Sequence, residues 1–174
     1  MKNIFKIIIF LILFLPFNKT LLASDIYFVD YSKVMNESTA GKKAKDFLQR
    51  KLNNGIKNLK EKEKKIQDEE KKIIQQKKVI STDEYKKKIA ELRKKISSLQ
   101  KERNTLLQSV SKLRTKARNQ LLDKLNPIMK NYMKEKNIRM VIDKKDVLLA
   151  DDKLDITKDI ISLLNKELKS LNLN

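Results

Sequence analysis

Apolar residues from Tyr85 onward fall alternately four and three apart: Tyr85, Ile89, Leu92, Ile96, Leu99, Leu106, Val110, Leu113 and Ala117, with Arg103 as the one polar interruption. That rhythm predicts a coiled-coil helix. Upstream, Leu52, Leu59, Ile66, Ile73 and Ile80 recur every seven residues, and Phe47, Leu48 and Ile56 broaden the stripe at its start. A first long helix with a narrower seam follows from this spacing. Between the two runs, Ser81 precedes Glu84 by three residues and Asp83 lies in the first turn, which is a capping box that opens a new helix. Residues 39–119 are therefore expected to form an antiparallel helical hairpin that turns near residue 81. Roughly 40 residues per limb give an arm on the order of 60 Å long and two helices thick.

The flanks carry other patterns. Lys2 and Lys6 precede an unbroken apolar run from Ile7 to Leu15, closed by Pro16 and Phe17, with Leu21-Leu22-Ala23 ending in a small residue. This predicts a cleaved secretory signal peptide over residues 1–23, too short to span a bilayer of about 30 Å. No cysteine follows it, which excludes a bacterial lipid anchor. Residues 25–30 read as a strand, Ile26, Tyr27, Phe28 and Val29 being β-branched or aromatic. Ser38 or Thr39 caps the first long helix. Gly41 and Gly55 are both unfavourable inside a helix, and one of them is expected to allow a close helix contact or a bend, with nothing in the sequence to choose between them. After Ala117 the rhythm slips to Leu121, Leu125, Ile128 and Tyr132, where the second helix should leave the arm. Pro127 should kink or restart it. Residues 138–143 and 147–150 are short apolar runs separated by Lys144-Lys145-Asp146, which predicts a β-hairpin. Asp155 or Thr157 caps a last helix over about 157–170.

The fold class expected is mostly α with a small β body. The body comprises residues 24–38 and 120–174, and the arm comprises residues 39–119. A body of roughly 65 residues is marginal as a single core, and it exposes strand edges. Assembly through those edges predicts a homo-oligomer, with Ile26, Phe28, Val29, Val141, Ile142, Val147 and Leu149 as candidate residues of the shared body.

Charge changes this picture by its location. The chain has a net charge of +19. Residues 42–124 hold 27 basic and 11 acidic residues, while residues 24–41 and 125–174 together balance at 11 of each. An anionic partner for the arm accounts for that asymmetry, and a solvated basic face is the plainer account. Near the turn, Ile73, Ile74, Val79, Ile80, Tyr85 and Ile89 cluster among Lys71, Lys72, Lys77, Lys78, Lys86, Lys87 and Lys88. A hairpin end cannot bury all of these apolar groups: either Ile73, Ile80, Tyr85 and Ile89 zip the seam and Ile74 and Val79 are ordinary exposed residues, or the cluster with its lysines is a set of candidate contacts for unfolded chains. The seam register places Glu63 opposite Arg103. Either an ion pair fixes the register there, or Arg103 reaches out to water.

Catalytic chemistry is scarce. The chain has no cysteine and no histidine, which removes thiol catalysis, disulfides and the commonest general base and metal ligand. Its two glycines cannot build a P-loop or a dinucleotide fingerprint. Asp151, Asp152, Asp155 and Asp159 lack the order and glycine of an EF-hand, so turn and cap duties explain them. No enzyme, cofactor or metal is expected. A non-specific binder of nucleic acid or other anionic polymers and a structural coiled-coil spacer are two functions these features allow; no specific nucleic acid is expected.

These residues together resemble the Skp/OmpH family of periplasmic chaperones. The resemblance rests on Asp25-Ile-Tyr-Phe-Val-Asp30 with Tyr31-Ser-Lys-Val-Met35, the long basic hairpin, Ile138-Arg-Met-Val-Ile-Asp143, Val147-Leu-Leu-Ala150 and Asp155-Ile-Thr157. It implies a periplasmic homotrimer in which three arms enclose unfolded outer-membrane proteins and shield them from aggregation without ATP. Contact with anionic lipid or lipopolysaccharide is also implied, at basic positions that cannot be mapped onto so repetitive an arm.

Overall fold

The computed structural model describes residues 26–173. The leader expected over residues 1–23 lies outside the described residues. In chain order the elements are β1 (Ile26–Val29), α1 (Tyr31–Glu37), α2 (Thr39–Gln76), α3 (Thr82–Glu135), β2 (Met140–Asp143) and α4 (Thr157–Glu167), with single 3-10 turns at Lys144–Asp146 and Asp152–Leu154. The long helices α2 and α3 pack along one another and run antiparallel, as the ion pairs Lys62–Glu102 and Glu69–Lys95 across them show.

Local chemistry explains where the helices start. The Asp30 carboxylate accepts the Lys33 N–H at 2.7 Å and opens α1. Ser38 is fully buried, and its hydroxyl accepts the Gly41 N–H at 3.2 Å to open α2. Ser81 does the same for Glu84 at 3.2 Å. Each cap supplies an acceptor for a backbone donor that no helical carbonyl can reach. Gly41 also makes room for the corner between α1 and α2. A Cβ there would run into the Met35 carbonyl oxygen, so only glycine lets the two helices meet so tightly. Gly55 serves the other close approach, because a Cβ there would lie 2.5 Å from both methyls of Leu106 on α3.

The helix α3 runs without interruption from Thr82 to Glu135 and passes through Pro127, where a kink or a restart was expected; the restart does not occur. A proline inside a helix costs about 3 kcal/mol. The neighbouring Leu125, Ile128 and Met129 are all buried in the body core, and burying three large side chains returns more than that. The same core takes Val29, Val34, Ala40, Leu121, Tyr132, Ile138, Ile156, Ile160 and Leu164. The rhythm change after Ala117 thus marks the height at which α3 turns its apolar side to the body.

The strands differ most from the sequence-based expectation. No hairpin forms between residues 138–143 and 147–150. Instead β2 pairs with β1 in parallel, Ile26 opposite Met140 through Val29 opposite Asp143, and residues 147–150 are not a strand. Parallel strands need a long crossover connection, and the entire arm supplies it. A three-residue hairpin loop favours glycine at its left-handed position, and Lys144-Lys145-Asp146 has none. The loop closes as a 3-10 turn, with the Val147 N–H donating to the Lys144 carbonyl at 3.1 Å. Leu148 and Leu149 are left almost wholly exposed, at 104% and 95%.

The segment Asp155-Ile156-Thr157 ties the body together. The Ile156 N–H donates to the Phe28 carbonyl at 3.0 Å, extending the sheet on the far side of β1. The Thr157 hydroxyl accepts the Asp30 N–H at 2.8 Å, and the Asp155 carboxylate accepts the Thr157 N–H at 2.9 Å. Lys144 donates to Asp155 at 2.8 Å while its ammonium stands 5.4 Å from the centre of the Phe28 ring. Burial alone would raise the Asp155 carboxyl, but the hydrogen bonds from Lys144 and Thr157 outweigh it and hold the group below its ordinary 3.8. Its contribution to stability is present above that value and is lost as pH falls further.

Tyr132 is the alkaline counterpart. Burial, reinforced by its hydrogen bond to Asp159 at 2.6 Å, pushes its phenol up from 10.0 to about 12. A raised value means that the stability it supplies is complete below pH 10 and is lost as pH climbs toward about 12. Denaturant midpoints of the wild type should therefore fall across that window, and those of Tyr132→Phe should fall less steeply from a lower start.

The helix α4 ends at Glu167, before the expected residue 170, and a segment without regular secondary structure follows it. Leu171 and Leu173 of this tail pack against Ala44, Phe47, Leu113 and Ala117 at the root of the arm.

Candidate functional site

The arm is held by a thin seam. Ala44, Leu59, Ile73, Leu92, Val110 and Ala117 are buried along it, and Leu52, Ile66, Ile80, Leu99 and Leu106 are half-buried. Two helices present one stripe each to the other, so side chains beyond that stripe have no third layer to enter. Ile96, expected in the seam, is 47% exposed, and Ile56, expected to thicken the stripe, is exposed too. Leu107 joins them. It was missed because its neighbour Leu106 takes the seam position, and adjacent helical residues cannot face the same way.

The residues singled out near the turn separate into three groups. Ile73 is buried in the seam. Ile80, Tyr85 and Ile89 are half-buried, and Ile74 and Val79 point to solvent. Lys71, Lys72, Lys77, Lys78, Lys86 and Lys87 surround them in exposed positions. Lys88 is drawn aside, donating to Gln76 at 2.8 Å and lying 3.5 Å from Glu84. The Lys77 ammonium stands 5.8 Å from the Tyr85 ring centre, at the outer range of a cation–π contact. The arm therefore presents isolated apolar groups in a basic field.

Glu63 and Arg103 face each other across the arm at 3.7 Å, each about half-exposed. Lys62–Glu102 at 2.5 Å and Glu69–Lys95 at 2.7 Å flank them. Half-exposed pairs of this kind contribute little. A double-mutant cycle with Glu63→Ala and Arg103→Ala should give a coupling of about 0.5 kcal/mol or less, shrinking further in salt. Coupling above about 2 kcal/mol would instead make this pair a determinant of register.

The candidate body residues occupy different environments. Phe28 and Val29 are buried, Val141, Ile142 and Val147 are half-buried, and Ile26 and Leu149 are exposed. Met140, opposite Ile26, is exposed as well. Ile26, Met140, Leu148 and Leu149 thus leave apolar surface uncovered on the single chain. Among the described residues, no cluster of three acidic, histidine or cysteine side chains could hold a metal, and no helix is long and apolar enough to cross a membrane. The aspartates after residue 150 have local duties: Asp151 accepts the Lys153 N–H at 2.9 Å and Asp159 holds Tyr132.

A β strand, a basic helical hairpin carried as its crossover, a second strand and a closing helix match the family model for outer membrane protein (OmpH-like) over residues 25–164. The chain belongs to the OmpH-like family. An OmpH-like crystal structure, of a protein described as an outer membrane chaperone from Caulobacter crescentus CB15, superposes with a TM-score of 0.79 over 84% of this chain and 87% of that one. The two are 20% identical, so the likeness is one of fold. No functionally curated protein matches the chain. The OmpH-like match stops at residue 164, and the tail beyond α4 lies outside it.

Proposed function

We propose that this protein is an ATP-independent holdase of the periplasm, exported by a cleaved signal peptide, which binds unfolded outer-membrane proteins and prevents their aggregation in transit. Membership of the OmpH-like family supports a chaperone role. The observation that carries the finer reading is the arm: a two-helix lever whose thin seam leaves Ile56, Ile74, Val79, Ile96 and Leu107 uncovered within a field of lysines. Scattered single apolar contacts are individually weak and break quickly, yet many of them on one client sum to tight holding. Grip and release then need no nucleotide. Positive charge gathers acidic segments and anionic headgroups, including those of lipopolysaccharide, at raised local concentration.

In this reading residues 24–38 and 120–174 form a body that three copies share, and residues 39–119 of each copy project from it to surround the client. Exposed Ile26, Met140, Leu148 and Leu149 are the surfaces that such sharing would cover. The test is dilution of a urea-unfolded outer-membrane β-barrel protein into buffer with near-equimolar trimer. Aggregation, followed by light scattering, should be suppressed. Suppression no better than that given by an unrelated basic protein would overturn the reading.

A further inference from the structure

A cleft of about 910 Å³ opens where α1 meets the root of the arm. Leu48, Leu52 and Val110, buried or half-buried, give it an apolar floor, and the exposed Lys45, Arg114, Arg118 and Lys145 stand around it. Lys145 lies 3.5 Å from Asp143. Among the described residues, Lys45, Arg114 and Arg118 form no salt bridge. The inner half of the arm offers them almost no acid: residues 39–60 and 103–122 hold 12 basic residues and one acidic residue, whereas residues 61–102 hold 14 and nine. The excess charge of the arm is thus concentrated around this cleft, and the partner that fits it is apolar in the middle and acidic at its ends.

Residues 146–152 of the same chain, Asp-Val-Leu-Leu-Ala-Asp-Asp, have that composition. They carry three carboxylates and no basic residue, and Leu148 and Leu149 between them are almost wholly exposed. None of the seven lines the cleft of its own chain, although Lys145, directly before them, does. A surface and its complement thus lie side by side on one chain without meeting. Such a pair makes a head-to-tail contact between copies, which closes into a ring where the rotation allows.

We infer that residues 146–152 of one copy dock in the root cleft of the next, the two leucines on the apolar floor and the aspartates against the arginines and lysines around it. The inference rests on the reading that copies share a body, and it names the surface each copy offers the other. Apolar burial supplies the affinity, and the charges fix which segment enters and in which register.

The test is sedimentation of the protein lacking residues 1–23. Arg114→Glu with Arg118→Glu should weaken assembly at least about tenfold, with unchanged circular dichroism because both side chains are exposed. Asp146→Lys with Asp152→Lys should do the same, and the chain carrying all four changes should recover assembly to within about threefold of wild type. If the reversed chains lose helicity, a second measurement decides: the chain has no cysteine, so Leu52→Cys and Leu149→Cys chains, mixed and mildly oxidised, should yield the mixed disulfide. A wild type that assembles but ignores charge reversal, a fourfold variant that stays dissociated, or no mixed disulfide would overturn this contact and leave the shared body standing. Charge reversal that spares assembly but abolishes holding of an unfolded client would give the cleft to the client and overturn the contact too. A wild type that is a single chain would overturn the contact and the shared body together.

Discussion

Aspartate at both Leu148 and Leu149 is expected to turn the proposed trimer into single chains that remain folded. Both side chains are almost wholly exposed on the isolated chain, so their replacement removes no contact within it. Their cost appears only where another copy covers them. Burying a leucine contributes about 1.5–3 kcal/mol, so two per copy predict a dissociation constant raised at least about a hundredfold, before the penalty for burying the new carboxylates is added. Sedimentation should show the monomer mass with unchanged far-UV circular dichroism. A variant that keeps its assembled mass would mean that residues 147–150 lie outside any subunit contact.

Gly41→Ala should be the most damaging conservative change within one chain. The added methyl meets the Met35 carbonyl, part of the backbone of α1 and unable to rotate aside. The buried Ser38 cap and the bond from the Thr39 N–H to Asn165, at 2.6 Å, hold the same corner. Overpacking of this kind costs about 3 kcal/mol, which corresponds to a fall in melting temperature of about 6–12 °C. Gly55→Ala gives the comparison. There the obstacle is the branched end of Leu106, a side chain that can change rotamer, so a smaller shift is expected. Equal melting temperatures for the two variants would contradict this account of the corner.

These two sites mark what the sequence made legible. The long helices, the turn before Ser81 and the facing of Glu63 and Arg103 followed from local rules, because heptad spacing and a capping box act within a few residues. That one of Gly41 and Gly55 serves a close approach was visible, but not that both do or what each admits, since the Met35 carbonyl and Leu106 reach them only in three dimensions. The strand pairing was less accessible still. The run at residues 138–143 has a strand-like composition, but a run's own residues do not say whether its partner lies across a tight turn or more than a hundred residues away. The tail escaped notice for a different reason. Leu171 and Leu173 lie past the expected helix end near residue 170, and an alternation of two apolar residues spans too few positions to be read as a pattern. For the arm, the seam was readable while its gaps were not: Ile96 fits the rhythm, and only the geometry of two helices without a third layer leaves it half in water.

Native mass spectrometry of the secreted form, mixed with one urea-unfolded outer-membrane β-barrel protein, weighs assembly and grip in a single spectrum. Three copies of the chain carrying one client is the species predicted. Single chains with the client unbound would contradict both the shared body and the enclosing arms.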